Sequence, residues 1–292
     1  MTTSPPPIEA ALSGRLCVVT GASSGIGAAA AHGLARLGAR VVLACRSEER
    51  GLATRASIIA ASGNRDVEVV PVDVADPASV RAFARAFRER HQRLDVLVNN
   101  AGVWASRRRL GPDGHESTWG TNVLGYVRVA EALLEPLTRA RGRIVNVASS
   151  LARGLDPDDV DFITRRYRGV AAYAQSKQAN RMWTWALARR LAGTGVVAHA
   201  MHPGGVRTPL FRKGGGLMGL LGSLWARLYG RSAEEGADTV VWLAAAEEAG
   251  RVSGRFWVNR RERLCEFRDP AAEDALFELC HDLARAPARG VA

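Results

Sequence analysis

The segment RLCVVTGASSGIG, residues 15–27, decides the fold of this chain. It begins with an aliphatic run that ends in a glycine, which is typical of a buried strand. Gly21, Gly25 and Gly27 permit a tight turn and a close approach of the backbone to a ligand. The next residues, IGAAAAHGLARLGA (26–39), have helical spacing. A helix that starts at such a turn directs free N–H groups into it, so the segment predicts a site for the pyrophosphate of a dinucleotide.

Strand-like and helix-like segments alternate along the rest of the chain. Aliphatic runs predict further strands at 40–46, 67–74, 94–102, 142–150, 196–205 and 254–258, and helices are predicted at 48–63, 77–91 and about 118–139. This alternation indicates an α/β fold: a single doubly wound Rossmann domain with a parallel sheet of seven strands. The predicted bounds are a disordered lead at 1–13, the domain at 14–268, and a C-terminal helix and tail at 269–292.

The composition indicates one soluble core in a reducing compartment. The chain has 292 residues, of which 47% are hydrophobic, and its 4 cysteines stand far apart without a zinc-like spacing. The N-terminal MTTSPPPIEA lacks the features of a signal peptide, and no apolar run is long enough to cross a bilayer. We therefore expect a cytoplasmic protein with no metal site and no transmembrane segment.

The net charge of +11 raises the question of a nucleic-acid partner. All but two of the 40 basic residues are arginine, and they are scattered apart from the runs SRRRL (106–110) and TRRYR (164–168). No nucleic-acid-binding motif accompanies these runs, and a coding bias toward arginine explains the excess equally well. We predict no specific nucleic-acid partner.

The residue that follows the second strand discriminates between the two nicotinamide dinucleotides. A carboxylate there would accept hydrogen bonds from the ribose and repel a 2′-phosphate, but VVLACRSEER places Arg46 at this position. Arginine forms a charge-assisted pair with phosphate, which favours NADP(H), although a solvated arginine that opens a helix is the simpler alternative. Asp73, at the end of the third strand, is a candidate for bonding the adenine amino group.

Six motifs in one order give the chain a family resemblance. They are TGASSGIG (20–27), NNAG (99–102), TNVLG (121–125), NVASS (146–150), YAQSK (173–177) and HPGGVRT (202–208). Over roughly residues 14–260 the chain resembles the short-chain dehydrogenases/reductases, and within them the branch of retinol dehydrogenases and carbonyl reductases. The resemblance implies an oxidoreductase that interconverts a carbonyl and an alcohol with a nicotinamide cofactor.

The resemblance also implies the roles of four catalytic residues. Tyr173 protonates the carbonyl oxygen, and Lys177, one helical turn away, lowers the pKa of the tyrosine and holds the nicotinamide ribose. Asn122 anchors a water beside the lysine. A serine at the end of the fifth strand donates a hydrogen bond to the substrate oxygen; Ser149 is favoured, and Ser150 is the alternative, because only one of two consecutive side chains faces the nicotinamide.

The cofactor contacts implied by the motifs form one longer set. They are Gly21, Ser23, Ser24, Gly25, Ile26, Gly27, Arg46, Asp73, Val74, Asn100, Ala101, Gly102, Tyr173, Lys177, Pro203, Gly204, Val206 and Thr208.

Two segments depart from the common family pattern. Ser149 and Tyr173 are 24 residues apart, about twice the usual separation, and the added residues at about 151–170 are predicted to form a cap beside the substrate pocket. Residues 209–231, glycine-rich and then apolar, are predicted to form a substrate lid; a packed surface helix, an oligomer contact or membrane docking are alternatives. An insertion before the Tyr173 helix leaves the choice between monomer and homo-oligomer open.

These features together predict an NADPH-dependent carbonyl reductase for a bulky, largely apolar ketone or aldehyde, with a polyketide-type ketone as one candidate. An NAD(P)-dependent alcohol dehydrogenase that acts on retinol-like or steroid-like alcohols is the alternative. A catalytically silent nucleotide-binding scaffold is the third hypothesis.

Overall fold

The structure is a computed structural model that describes residues 11–205 and 231–286. Within them, one sheet has the strand order β3-β2-β1-β4-β5-β6-β7-β8. The strands are β1 (Leu16–Thr20), β2 (Arg40–Cys45), β3 (Val67–Pro71), β4 (Val96–Asn99), β5 (Arg143–Val147), β6 (Val197–His202), β7 (Arg255–Val258) and β8 (Arg261–Arg263). Strands β1 to β7 are parallel to their neighbours, which confirms the doubly wound α/β domain.

The eighth strand is a feature that the sequence pattern did not predict. Strand β8 is antiparallel to β7, and its three residues are charged and exposed, so it lacks the aliphatic signal on which the count of seven rested. Asn259 and Arg260 connect the two strands with φ angles of 51° and 59°. Two consecutive positive φ angles form the tight hairpin turn that suits the twist of antiparallel strands.

Helices cover both faces of the sheet. They are α1 (Gly25–Arg36), α2 (Glu48–Ser62), α3 (Pro77–Arg90), α4 (Ser117–Trp119), α5 (Gly125–Ala132), α6 (Leu134–Ala140), α7 (Gly169–Arg190), α8 (Ala233–Ala245), α9 (Glu247–Gly250) and α10 (Pro270–Arg285). One core, which includes Leu34 of α1 and Val240 of α8, lies on one face. The other core, which includes Phe83 of α3 and Trp183 of α7, lies on the opposite face.

The helix predicted at about 118–139 is interrupted twice. A π-helical turn, Gly120–Leu124, joins α4 to α5, and Leu133 separates α5 from α6. The second break has a direct cause in the sequence. Pro136 has no N–H to donate to the carbonyl of Ala132, and Arg88 of α3 donates to that oxygen at 2.8 Å instead.

Helix α7 is enclosed by the rest of the fold. Nearly every side chain from Ala172 to Leu187 is buried, because the sheet covers one side of the helix and α10 packs on the other. Trp183 stacks on Phe277 of α10 with ring centroids 6.3 Å apart. The YAQSK motif therefore lies on a rigid element.

Candidate active site

The carboxyl ends of the parallel strands meet at one edge of the sheet, where the strand order reverses between β1 and β4. A cleft of about 230 Å³ opens at this point, which is where open α/β sheets bind their ligands. Gly21 and Gly25 turn the chain from β1 into α1 with φ angles of 66° and 55°. A Cβ on Gly21 would lie 2.9 Å from the Cα of Ala101, so only glycine fits this approach.

The N-terminus of α1 is suited to an anion. Ser24 is its N-cap residue but makes no capping hydrogen bond with its side chain, and the first turn holds no acidic residue. The first N–H groups and the positive end of the helix dipole are therefore not neutralised by the chain's own carboxylates. This cradle fits the pyrophosphate of a dinucleotide.

Two arginines line the end of the cleft beside β2. Arg46 follows β2, Arg50 lies one turn into α2, and the lining also contains Asp73 after β3. One Asp73 oxygen accepts from the N–H of Ala75 at 3.0 Å, and the other lies 3.8 Å from a guanidinium nitrogen of Arg46. The pair is largely open to solvent, so it restrains Arg46 only weakly. Arg50 was not predicted from the sequence as a cofactor residue. Its position four residues after Arg46 could have indicated it, because that spacing brings two side chains to the same side of a helix.

Residues 99–102 are fixed to the glycine loop. The Asn100 side-chain amide donates to the carbonyl of Thr20 at 2.9 Å, and the Asn100 N–H donates to the Thr20 hydroxyl at the same distance. These bonds hold the ends of β1 and β4 together below the cleft.

Tyr173 lines the cleft from α7. Burial raises the pKa of Tyr173 to about 12, and hydrogen bonding by the Ser149 side chain lowers it in part. Ser149 is half-buried at the end of β5, whereas Ser150 is exposed. The structure thus brings Ser149, the favoured serine of the two, to the tyrosine.

Lys177 lies behind Tyr173, with its side-chain nitrogen 5.8 Å from the centroid of the tyrosine ring. Its ammonium donates to the carbonyl of Val147 at 2.8 Å and lies over the ring of Tyr126, 5.3 Å from the centroid. Burial lowers the pKa of Lys177 to about 7, so the amine is only partly charged near neutral pH. Burial thus raises the pKa of Tyr173 and lowers that of Lys177, and the predicted action of Lys177 on the tyrosine stays a prediction.

Asn122 lies at the centre of the π-helical turn and uses its whole side chain internally. The amide oxygen accepts from Val103 N–H at 2.8 Å, and the amide nitrogen donates to the Val103 carbonyl and the Ser176 hydroxyl, both at 3.1 Å. The side chain therefore joins the segment after β4 to the catalytic helix.

Trp104, which the sequence offered as a candidate for the pocket lining with ordinary packing as an equal alternative, lines the cleft. Its indole lies against the ring of Tyr173, with centroids 4.9 Å apart and ring planes inclined by 30°. The contact forms an aromatic wall beside the tyrosine hydroxyl.

The predicted cofactor residues divide into three groups. Those that line the cleft are Gly21, Ser23, Ser24, Gly25, Ile26, Arg46, Asp73, Val74, Asn100, Ala101, Gly102, Tyr173, Lys177 and Pro203. Gly27 and Gly204 lie outside the lining: a Cβ on Gly27 would lie 2.4 Å from the carbonyl oxygen of Gly21, so this glycine allows α1 to pack closely. Val206, Thr208 and the predicted lid at 209–230 lie outside the described residues.

The inserted segment before α7 is attached to the loop after β4. Asp161 accepts from the Glu116 N–H at 2.8 Å and pairs with the buried His115 at 2.9 Å. The Tyr167 hydroxyl donates to the carbonyl of Ala105 at 3.0 Å. The insertion is thus packed on the segment after β4; none of its residues 151–170 lines the cleft, and its role as a cap stays a prediction.

The described residues contain no group of three or more His, Cys, Asp or Glu arranged to hold a metal ion. In the same part of the chain no helix combines the length and apolarity needed to span a bilayer.

Comparison with known proteins identifies the family. The profile described as "short chain dehydrogenase" matches residues 15–215. Human retinol dehydrogenase 13 is 37% identical over 279 residues, which cover 92% of this chain and 82% of that protein. The dehydrogenase/reductase SDR family member 13 of Bos taurus is 41% identical over 283 residues, covering 94% and 74% respectively. The chain belongs to the short-chain dehydrogenases/reductases and, within them, to the retinol-dehydrogenase-like branch.

Solved structures agree with this membership. An uncharacterised protein from Mycobacterium paratuberculosis superimposes with a TM-score of 0.74 at 31% identity, over 95% of this chain and 96% of that one. L-Sorbose reductase from Gluconobacter frateurii, solved with NADPH and L-sorbose, gives 0.66 at 29% identity over 84% and 95%. The chain is thus an oxidoreductase that uses a nicotinamide dinucleotide and acts on a small molecule.

Proposed function

We propose that the protein is an NADPH-dependent reductase of bulky, largely apolar ketones or aldehydes. The observation that carries the proposal is the position of Tyr173 and Lys177 in the wall of the cleft, which they share with the glycine loop. A bound nicotinamide dinucleotide supplies the hydride. The Ser149 hydroxyl holds the substrate oxygen, and the Tyr173 hydroxyl donates the proton that completes the alcohol.

The aromatic wall supports the apolar substrate. The indole of Trp104 and the ring of Tyr173 present adjacent faces beside the reacting hydroxyl. Such a surface favours a planar or bulky apolar group over a hydrated sugar. We propose that the insertion before α7 closes the same side of the pocket.

The preference for NADPH rests on Arg46 and Arg50. Their guanidinium groups line one end of the cleft, where a 2′-phosphate would form charge-assisted hydrogen bonds with both. The chain is proposed to work in the cytoplasm, where NADPH favours reduction. The alternative is the oxidation of retinol-like alcohols, in keeping with the names of the relatives.

A panel of substrates tests the reaction. NADPH oxidation is followed with aromatic polyketide-type ketones, retinal-like aldehydes, steroid ketones and short aliphatic carbonyls. We expect the wild type to turn over one class of bulky carbonyl substrate. Tyr173→Phe should lose this turnover and still bind NADPH. Turnover in Tyr173→Phe equal to that of the wild type would contradict the proposal.

One matched pair and one double variant test the individual residues. Ser149→Ala is expected to lower kcat by roughly 100-fold or more, whereas Ser150→Ala, one residue further along an exposed turn, stays near the wild type. Arg46→Asp with Arg50→Ser is expected to reverse the cofactor preference, measured as kcat/KM for NADPH and NADH. A wild type that already prefers NADH would refute the role of the two arginines.

A further inference from the structure

The two arginine runs of the sequence lie side by side in the fold. Ala105 accepts a hydrogen bond from Tyr167, and a Cβ on Gly169 would lie 3.2 Å from the Cα of Ser106. Arg108 of the first run donates to the carbonyl of Asp161 at 2.8 Å. Residues 105–110 and 161–170 therefore form one continuous border. Neither the cofactor site nor the catalytic residues explain why both segments are so basic.

Most of the charge on this border is not neutralised by the protein itself. Five exposed arginines have side chains that pair with no carboxylate of the described residues: Arg107, Arg109, Arg153, Arg166 and Arg168. Arg153 belongs here because its N–H donates to the carbonyl of Ala174 in the first turns of α7. By contrast, Arg165 pairs with Asp156 and Asp159. A positive field of this kind attracts an anionic partner.

Exposed apolar side chains lie among these arginines. Ile163 is 68% exposed, Leu110 44% and Val170 38%, so three of the chain's five exposed large hydrophobic residues within the described part belong to the same border. We call the five arginines with Leu110, Ile163 and Val170 the basic rim. The combination of guanidinium groups and isolated aliphatic side chains suits a surface that has both anionic groups and hydrocarbon.

We propose that the basic rim docks the protein on the surface of an anionic phospholipid bilayer. The arginines would bind lipid phosphates and carboxylates, while Ile163 and its apolar neighbours enter the headgroup region. Duplex nucleic acid offers the same negative charge but no apolar phase for three exposed aliphatic side chains.

The position of the rim adds a consequence for substrate access. Trp104 immediately precedes one border segment, Tyr173 closely follows the other, and their rings are in contact at the cleft. Docking through the rim would turn the mouth of the cleft toward the lipid. This consequence depends on the proposed reductase function, but the docking itself does not.

Vesicle co-sedimentation of the full chain tests the docking. The vesicles are phosphatidylcholine alone, or phosphatidylcholine with phosphatidylserine, each at low and high salt. We expect binding to the anionic vesicles only, weakening as salt is raised. Each arginine near an anionic surface strengthens partitioning by roughly fivefold, so Arg107→Ser, Arg109→Ser and Arg166→Ser together should weaken it by about a hundredfold.

Two matched controls make the result specific to the rim. Arg65→Ser, Arg81→Ser and Arg85→Ser remove the same charge at exposed positions elsewhere and should cause a much smaller loss. Ile163→Ser should weaken binding, whereas Leu52→Ser, at a residue 48% exposed on α2, should not. NADPH oxidation with a water-soluble substrate should be unchanged in every variant, which separates a failure of docking from a failure of the proposed reaction.

Three outcomes would overturn the proposal. The first is equal affinity for neutral and anionic vesicles. The second is an equal loss of vesicle binding in the triple variant of the rim and in the triple variant of the control arginines. The third is no vesicle binding at low salt. A labelled DNA duplex is tested in parallel. If the rim triple weakens binding to DNA and leaves vesicle binding intact, the rim is a nucleic-acid surface instead.

Discussion

Replacing Lys177 by methionine should remove a pH dependence of stability that the buried amine imposes. Burial lowers the pKa of Lys177 from 10.5 to about 7. Between these values the unfolded chain binds a proton that the folded protein does not, so stability rises with pH and falls as pH drops toward 7. From pH 7 to pH 9 this linkage amounts to about 2 kcal/mol in the free energy of unfolding.

Methionine retains an unbranched apolar stem and removes the titrating group. The carbonyl of Val147 loses the bond from Lys177 but still accepts one from the Tyr126 hydroxyl at 3.2 Å. The direct loss is therefore about 1 kcal/mol or less. We expect Lys177→Met to lack the rise of about 2 kcal/mol while losing catalytic turnover.

Urea unfolding, followed by circular dichroism at pH 7 and pH 9, measures the difference. Burial also raises the pKa of Cys17, Cys45 and Cys280, so these thiols lower the stability as pH approaches 9. Both proteins contain the three thiols, and their effect cancels in the comparison. Parallel pH dependences in the wild type and Lys177→Met would show that Lys177 is fully protonated in the folded protein and would refute the reasoning.

Three further predictions follow from the packing. Gly27→Ala should weaken dinucleotide binding by roughly tenfold or more in calorimetry, because its Cβ would lie 2.4 Å from the side-chain nitrogen of Asn100; an unchanged affinity would show that the loop yields. His115→Ala should lower the free energy of unfolding by about 3 kcal/mol, since it leaves the buried Asp161 without its partner; a loss below about 1 kcal/mol would show that the pair adds little to stability. Light scattering should find a monomer, because α10 covers α7, and removal of residues 269–292 should cause association; a wild-type dimer that persists without them would contradict this.

The parts of the fold that could be predicted are those with a repeated local pattern. Strands β1 to β7 were found because each is an aliphatic run, and α1 because its glycine turn and helical spacing agree. Strand β8 was missed because it pairs through a two-residue turn with positive φ angles. The residue types Asn259 and Arg260 were not enough to predict that turn. The break at Leu133 could have been predicted from Pro136, whereas the bond by which Arg88 satisfies the freed carbonyl of Ala132 could not, because it comes from another helix.

The candidate active site could likewise be predicted only where a local sequence motif determines a residue's position. Motif order was enough to bring Ser149, Tyr173 and Lys177 together, since each follows from a strand end or a helix face. The effect of burial on the pKa values of Tyr173 and Lys177 could not be predicted from the motif, because it depends on how completely the fold encloses the pair. Trp104 carries no motif, and only the three-dimensional structure shows that it touches the tyrosine.

The charged hairpin strand also governs how the protein behaves at high concentration. An open sheet edge is a template for another chain, and β8 ends the sheet with Arg261, Glu262 and Arg263, all of them exposed. At the opposite edge, β3 presents Glu68 and closes with Pro71, which has no N–H to donate. Both edges therefore resist the addition of a foreign strand. Substitution of the β8 charges by valine should leave the cleft intact while making the protein prone to aggregate.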